Sequence, residues 1–481
     1  MTDTPHEPDP AQTSAPTASR KTLRIGLVAV VTLVAFESLA VITVLPEIED
    51  DLGGVEWYGW VTTAFFLGTM LGIVAAGEQA DRRGAGRPYV IGLVLFAAGL
   101  VIGGLAPSMP VLVAGRLVQG FGAGVVPAIG YIAIGRAFSP EERPRMFALL
   151  STAWVVPGVV GPVIAERVAA AVGWRWVFLA LIPLVAVAGS FVVPAIRTLG
   201  PSAAAPSGGD GESTPFLRRR MVEAVRVAAG AALIVAALEE RGWVLVPGIA
   251  AGVLVGIGSL RRLAPAGTLH AARGLPAAVL SRGLLTFAFF GTDTFVPYAI
   301  TDGRGHSTFS GSVVVTTATL TWTIGTWSQE RYITRTGERF FVRAGFCVIT
   351  VGVLIVALSA MPDVVPFWGI HVGWTLGGLG MGLAYAAHSQ QVLRLAPTGG
   401  DGAATASLQL FDNLGIALGT GAVGVVVSYG DTSGWAAGDA VALAVLLSAA
   451  VAGTGVFVAR RLDGGRASTR DHGARVHQVS V

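Results

Sequence analysis

Four charged residues sit inside long apolar runs: Glu37 in "AFESLAVITVLPEI", Arg116 in "LVAGRLVQGFGAG", Asp293 in "FFGTDTFVPYAI" and Asp412 in "LQLFDNLGIALG". A charge at the depth of a bilayer core costs roughly 2.5–3.5 kcal/mol on insertion scales, so such residues mark ion paths, proton relays or ligand counter-ions. A buried carboxylate beside a cation is suited to proton exchange. The cation favours the ionised form and burial favours the neutral one, so a small change in surroundings moves the proton. Glu37 and Arg116 have the depths for this. At a helical rise of ~1.5 Å per residue, Glu37 lies ~13 Å from Pro46 at the outer end of its run, and Arg116 ~9 Å from Pro110 at the same face.

The other candidates are graded by their neighbours. Asp412 precedes Asn413, and interhelical hydrogen bonding explains it as well as proton coupling does. Asp293 lies nearer the outer end of its run, within expected reach of water. Glu166, in "WVVPGVVGPVIAERV", is either an outer titrating group or an interfacial acid. His371 reads as a hydrogen-bonded structural residue, and His388 as a solvated residue near a cytoplasmic end.

These residues need membrane-spanning helices to hold them. The 481-residue chain is 53% hydrophobic and 13% charged, with mean hydropathy +0.66; a soluble domain is about a quarter charged. Its 65 glycines suit helices that pack closely in lipid. The one cysteine, Cys347, excludes an internal disulfide and is expected to be a small buried hydrophobe. A spanning helix needs about 20 mostly apolar residues. Runs of that kind lie near 25–46, 58–77, 88–106, 110–131, 146–168 and 174–195, then 222–239 and 243–260, then 276–300, 310–328, 341–360, 364–387, 403–428 and 435–459. The first run is expected to end at Pro46. The 222–239 run is interrupted near its start by Glu223 and Arg226. The expected organisation is a disordered tail (1–23), a six-helix bundle (24–195), a Pro/Gly/Ser-rich linker (196–221), an inserted hairpin (222–260), a loop (261–275), a second six-helix bundle (276–460) and a second disordered tail (461–481). The fold class is all-α membrane protein with about fourteen spans.

Charge placement orients the bundle. With the N-terminus inside, the inner segments carry Arg82, Arg83, Arg87, Arg136, Arg143, Arg145, Arg218–Arg220, Arg261, Arg262, Arg273, Arg331, Arg335, Arg339, Arg343, Arg394, Arg460 and Arg461. The outer loops carry Arg175, Arg241 and Arg304, and "PEIEDDLGGVEW" is acidic. The positive-inside rule then places both termini in the cytoplasm. The hairpin is an even number of helices, so it leaves this orientation unchanged.

Local motifs narrow the class. Between the second and third runs, "GEQADRRGAGRP" carries Gly77, Ala80, Asp81, Arg82, Gly84 and Arg87; Asp81 is expected just past a helix end. The fourth run carries Arg116, Gln119, Gly120, Gly122, Ala123 and Gly124; the fifth carries Gly158, Gly161 and Pro162, and Pro162 is expected to kink it. "RYITRTGERFFVRAG" echoes the first loop in the second half, without its acidic member. In these residues the chain resembles the major facilitator superfamily over essentially its whole length. With its hairpin between halves it is similar to the 14-helix drug:proton antiporter branch. It departs from that pattern with Glu37 where an Asp is common, Gln79 for Leu, and Ala165–Glu166 for the closing Gly-Gly of the fifth helix.

The resemblance implies a proton-coupled antiporter that exports hydrophobic or amphipathic compounds such as drugs by alternating access, and so confers antibiotic resistance. It implies a monomer in the plasma (inner) membrane, driven by the proton gradient without cofactor or metal, and no nucleic-acid partner. It assigns Gly77, Asp81, Arg82, Gly84 and Arg87 to a conformational switch, Gly158, Gly161 and Pro162 to the helix-five kink, and Glu37 and Arg116, with Asp412, Asp293 and Glu166, to proton coupling. Phe289, Phe290, Trp374 and Gln119 are the expected substrate-facing residues, whereas Trp57, Tyr58 and Trp174 read as an interfacial belt. A proton-coupled importer, an exporter of a native metabolite or lipid, and a non-transporting sensor or scaffold stay open. No GxxxxGK[ST], HExxH or GxSxG sequence occurs, so ATP drive and the commonest hydrolytic chemistries have no motif here.

Overall fold

The computed structural model describes residues 17–83, 85–138, 142–197, 213–239, 244–361, 365–397 and 401–462. The first bundle consists of α1 (Thr17–Leu52), α2 (Tyr58–Arg83), α3 (Gly86–Gly104), α4 (Met109–Ala137), α5 (Arg143–Val172), and α6 (Arg175–Leu179) continued by α7 (Leu181–Arg197). A hairpin follows, α8 (Ser213–Glu239) and α9 (Leu245–Leu263). The second bundle consists of α10 (Leu275–Asp293) continued by α11 (Val296–Thr301), then α12 (Thr308–Thr336), α13 (Glu338–Ala360), α14 (Trp368–Leu395), α15 (Asp401–Thr432) and α16 (Ala437–Val458). Among the described residues eleven helices are long and apolar enough to cross a membrane. Of the fourteen expected spans, α5, α12 and α14 are not among the eleven, although they have 30, 29 and 28 residues.

The two bundles repeat one packing scheme. In the first, α4 packs on α2 and α3, and α1 on α5 and α7; in the second, α14 packs on α12 and α13, and α10 on α15 and α16. The expected tail before residue 24 is helical from Thr17, with Leu23 buried. α1 also runs through Pro46, where one lost backbone bond does not end so long a helix. It ends at Gly53 and Gly54, whose φ angles of 65° and 86° are cheap only for glycine. Tyr58 and Trp174 do not form an interfacial belt. Both are buried, Tyr58 against Phe295 and Tyr298 and Trp174 with its indole N–H donating to Asp51 at 3.1 Å. Cys347 is exposed. It lies on one stripe of α13 with exposed Val351, Leu354 and Leu358; lipid accepts apolar side chains that water would force inward.

Glu49, Asp50, Glu56, Asp302 and Asp431 gather at one end of the molecule, with Asp51 next in the chain, and make it acidic. At the acidic end, carboxylate oxygens of Glu49, Asp50 and Asp302 lie within 4.8 Å of one another. Burial pushes Asp302, which follows α11, above the usual carboxylate range. Named contacts between the bundles lie in this half. Tyr58 meets Phe295 and Tyr298, and Thr63 Oγ1 donates to the Ala417 carbonyl at 3.0 Å and sits 2.8 Å from Thr420 Oγ1. The hairpin covers the same seam: α8 packs on both α2 and α15. The charges that interrupt its start are explained by pairing, since Arg262 of α9 donates to Glu223 at 2.6 Å.

Gly59 is a point of close backbone approach in this seam. A Cβ there would stand 2.7 Å from the Thr420 carbonyl oxygen and 3.1 Å from the Gly424 Cα. Gly59→Val should overpack the closed acidic end by roughly 1–3 kcal/mol. A cysteine at position 63 on a Cys347→Ala background is then expected to react about tenfold faster with a membrane-impermeant maleimide. Equal labelling with and without the valine would contradict this closure.

Candidate functional site

In the first bundle the structure brings Glu37, Arg116 and Gln119 together. Arg116 is 2% and Glu37 0% exposed, and the guanidinium Nη1 donates to Glu37 Oε1. Nη1 also donates to Gln119 Oε1 at 2.9 Å, and Nε to the Val61 carbonyl at 3.3 Å. The Arg116 Cζ stands 4.2 Å from the centroid of the Phe65 ring. The helix repeat explains the geometry: Arg116 and Gln119 are three apart on one face of α4, and glycines let that helix approach its neighbours. A Cβ on Gly120 would stand 2.0 Å from the Phe65 carbonyl oxygen, and one on Gly124 2.1 Å from that of Thr69. A buried ion pair of this kind is weak evidence for stability, because desolvation offsets its attraction, but breaking it on one side is costly. It links α1 to α4 in a way that protonation of one carboxylate undoes.

The second bundle holds a repeat of this helix that sequence reasoning missed. Gly115, Gly120, Gly122 and Gly124 of "GRLVQGFGAG" recur at the same spacing as Gly373, Gly378, Gly380 and Gly382 of "GWTLGGLGMG" in α14. The contacts recur too. A Cβ on Gly378 would meet the Ala318 carbonyl at 2.0 Å and one on Gly382 the Trp322 carbonyl at 2.0 Å, both on α12, the counterpart of α2. Trp374 therefore occupies the position that Arg116 holds in α4.

Trp374 is fully buried and its indole N–H donates to Asp293 Oδ1 at 2.8 Å. Asp293 is 3% exposed, so the expectation of a water-reached acid is corrected: the bend from α10 into α11 and the Trp374 ring enclose it. Among the described residues no cation pairs with it. Phe289 stacks on Trp374 with centroids 4.8 Å apart. It also meets Phe290 at 5.2 Å and Trp322 at 5.4 Å. Phe66 of the first bundle closes on Phe290 at 5.9 Å. Phe289, Phe290 and Trp374 are thus one aromatic group, while Gln119 belongs with Arg116.

Asp412 has a cation that sequence reasoning also missed. Arg282 of α10 donates from Nε to Asp412 Oδ1 at 2.6 Å and from Nη1 to the Tyr385 carbonyl at 2.6 Å. The Tyr385 hydroxyl donates to Asp412 Oδ2 at 3.0 Å, and the Arg282 Cζ lies 3.1 Å from the Tyr385 ring centroid. Arg282 stands in "AAVLSRGLLTF", an arginine inside an apolar run like Arg116; that was the signal. His388 is correspondingly not solvated. It is fully buried, with Nε2 2.8 Å from Ser281 Oγ and Nδ1 2.9 Å from the Ala384 carbonyl, because its face of α14 turns to α10. Asn413 Nδ2 donates to the Gln409 carbonyl on its own helix at 2.8 Å, so it does not bridge helices there.

A model of the Major Facilitator Superfamily matches residues 27–420. The chain belongs to that superfamily. Over 419 residues it is 27% identical to a probable multidrug-efflux transporter of Mycobacterium tuberculosis (strain ATCC 25618 / H37Rv), covering 83% of this chain and 86% of the relative. It is 29% identical over 181 residues to Multidrug resistance protein 3 of Bacillus subtilis (strain 168), 38% of this chain and 35% of the relative. The chain thus spans about a third of the length of that relative. Among solved structures, a bacterial homologue of the human lysosomal transporter Spinster, inward-facing and unoccupied, superposes with TM-score 0.63 at 13% identity, over 93% of this chain and 98% of the other. The nucleoside transporter NupG does so with TM-score 0.62 at 13% identity, over 91% and 98%. These two share the major facilitator fold.

The remaining candidates in this major facilitator chain stand apart from both clusters. Glu166 is buried and lies 3.5 Å from Arg167 Nε near the acidic end of α5. Of the switch loop, Gly84 lies outside the described residues, as do the side chains of Gly77, Asp81 and Arg82. The helix itself continues to Arg83, so Asp81 is inside α2 and not past its end. Arg87 is exposed in the first turn of α3. α5 is helical from Arg143 to Val172 with both Pro157 and Pro162 inside it. A Cβ on Gly158 would stand 2.1 Å from Thr319 Cγ2, which makes Gly158 a point of close approach to α12, and one on Gly161 would touch Phe36 at 3.4 Å. His371 is half-buried against Phe367, with ring centroids 4.9 Å apart.

Proposed function

We propose that this chain is a proton-coupled exporter of hydrophobic or amphipathic compounds, drugs among them, working by alternating access. The observation that carries the reading is the fully buried Glu37–Arg116 pair joining α1 to α4. A carboxylate enclosed in this way is neutralised by a proton or by its arginine, and nothing else in its surroundings carries positive charge among the described residues. When Glu37 takes a proton, Arg116 keeps the Val61 carbonyl, Gln119 and the Phe65 ring, and α1 is no longer held to α4 by charge. Loss of the proton restores the bond. Rocking of the bundles about the seam would thereby follow the protonation of Glu37. A relative named a probable multidrug-efflux transporter supports the direction, and it and one named a multidrug resistance protein support the compound class.

Everted membrane vesicles with a fluorescent pH probe test this. Addition of an exported compound is expected to dissipate a preformed proton gradient in vesicles that contain the protein and not in vesicles that lack it. Compound uptake without proton movement would overturn the coupling. No response to a broad panel of drugs would overturn the exporter reading.

A further inference from the structure

We propose that the hairpin carries a binding site for the phosphate of an anionic glycerophospholipid, formed by the arginines gathered around Glu223. Arg219 and Arg226 stand one helical turn to either side of Glu223, on the same face of α8. α9 returns alongside and brings Arg262 to the same place. The Glu223 carboxylate is buried and lies 2.6 Å from Arg262 Nη1, 3.9 Å from Arg226 Nη1 and 4.0 Å from Arg219 Nε. The three arginine side chains are 56%, 53% and 67% exposed in the same order. Among the described residues Glu223 is the one carboxylate paired with them. One acid against three guanidiniums leaves two positive charges over, and exposed Arg261 adds to them.

Position says what these arginines meet. A Cβ on Gly421 would stand 2.6 Å from Val235 Cγ2 and 3.2 Å from Thr63 Oγ1, so Val235 belongs to the acidic half of the seam. Glu223 lies ~18 Å further along α8, away from that half, at a rise of ~1.5 Å per residue. Two apolar stripes lead to it. On α8, exposed Leu233 and Val222 share a stripe with Arg226 and Arg219; on α9, exposed Leu254 shares one with Arg261 and Arg262. Leu254 is 78% exposed, and a Cβ on Gly258, between it and the arginines, would meet nothing within 4 Å. An apolar surface open to the bilayer thus runs into a cationic cluster, which matches a molecule with acyl chains below a negative head. The guanidinium fork fits phosphate oxygens. The surplus positive charge selects a head of net negative charge over a zwitterionic one, whose ammonium it repels. Glu223 supplies the geometry, since it gathers three long side chains that would otherwise spread apart. This end of the hairpin is also tied to the second bundle, because Ser407 Oγ of α15 donates to the Leu263 carbonyl at 3.0 Å. A lipid held here therefore braces the hairpin where it covers the seam.

Native mass spectrometry of the purified full-length protein in a neutral detergent tests the site, with phosphatidylglycerol and phosphatidylcholine of the same acyl chains as probes. Wild-type protein is expected to hold its tightest-bound phosphatidylglycerol at least about tenfold more strongly than phosphatidylcholine. Arg219→Gln/Arg226→Gln removes two exposed charges and keeps the Arg262–Glu223 pair, and is expected to weaken that binding by about tenfold or more. Arg331→Gln/Arg335→Gln removes two exposed arginines of α12 instead, and is expected to leave it within about twofold. An excess of inorganic phosphate, which has no acyl chains, is expected not to displace the lipid. Equal binding of the two lipids by wild-type protein would overturn the site whether or not the variants fold. So would phosphatidylglycerol binding by the hairpin variant within twofold of wild type, or an equal loss in the α12 variant. Displacement by inorganic phosphate would make this a site for free anions and overturn the lipid assignment.

Discussion

Glu37→Gln is expected to reduce compound-driven proton movement in everted vesicles to below about a tenth of wild type, because the charge that the proton must neutralise at this depth is gone. The amide keeps the size of the carboxylate and still accepts from the Arg116 guanidinium, so the contact survives while the titration does not. Arg116 then lacks its counter-charge, yet it retains the Val61 carbonyl, Gln119 and the Phe65 ring. The variant should therefore reach the membrane in normal amount, as an immunoblot of the vesicles would show. Glu37→Asp is the companion variant: it keeps a titrating group one methylene shorter and should retain coupling at a reduced rate. Undiminished pH-gradient-driven transport by Glu37→Gln would remove Glu37 from the coupling mechanism.

Arg282→Met is expected to be the more damaging substitution for stability. It leaves Asp412 buried with the Tyr385 hydroxyl as its remaining partner. Breaking one side of a buried pair costs about 3–5 kcal/mol. The Tyr385 carbonyl and ring lose their cation as well. Thermal melting in detergent should show a large fall in midpoint. The double variant Arg282→Met/Asp412→Leu removes both charges and should recover most of the loss, since an apolar pair of similar volume is commonly no less stable than the ion pair. Arg282, Tyr385 and Asp412 lie on three helices of one bundle, α10, α14 and α15, so we expect transport to return with stability. A stable but inactive double variant would instead give Asp412 a part in coupling.

The two predictions differ in how far their residues were legible. Glu37 and Arg116 were readable because each is a charge inside an apolar run, and a rise per residue set their depths. Asp412 was readable for the same reason; Arg282 carried the same signal, an arginine inside an apolar run, and was passed over. The helical pattern, the two-bundle organisation and the family were legible because lipid forces long apolar helices and because the motif loop and the fourth helix have dense local signatures. Helix ends were less so: Pro46 is a strong local stop signal, but α1 continues to Gly53 because its packing outweighs one missing backbone bond.

Pairing was decided by tertiary structure. Apolar patterning says which residues are in the membrane, not which of two low-dielectric surroundings, lipid or protein, each faces. Cys347 was expected inside and lies outside, whereas His388 and Asp293 were expected near water and are enclosed. By itself the chain of residues determined an all-α membrane protein with embedded charges and its membership of a transporter superfamily, because hydropathy and local motifs are properties of contiguous segments. Only the packing of helices far apart in sequence decided that Glu37 meets Arg116, that Asp412 meets Arg282, and that Asp293 meets a tryptophan and, among the described residues, no cation, because the energy of a buried charge is set by what lies across from it in space.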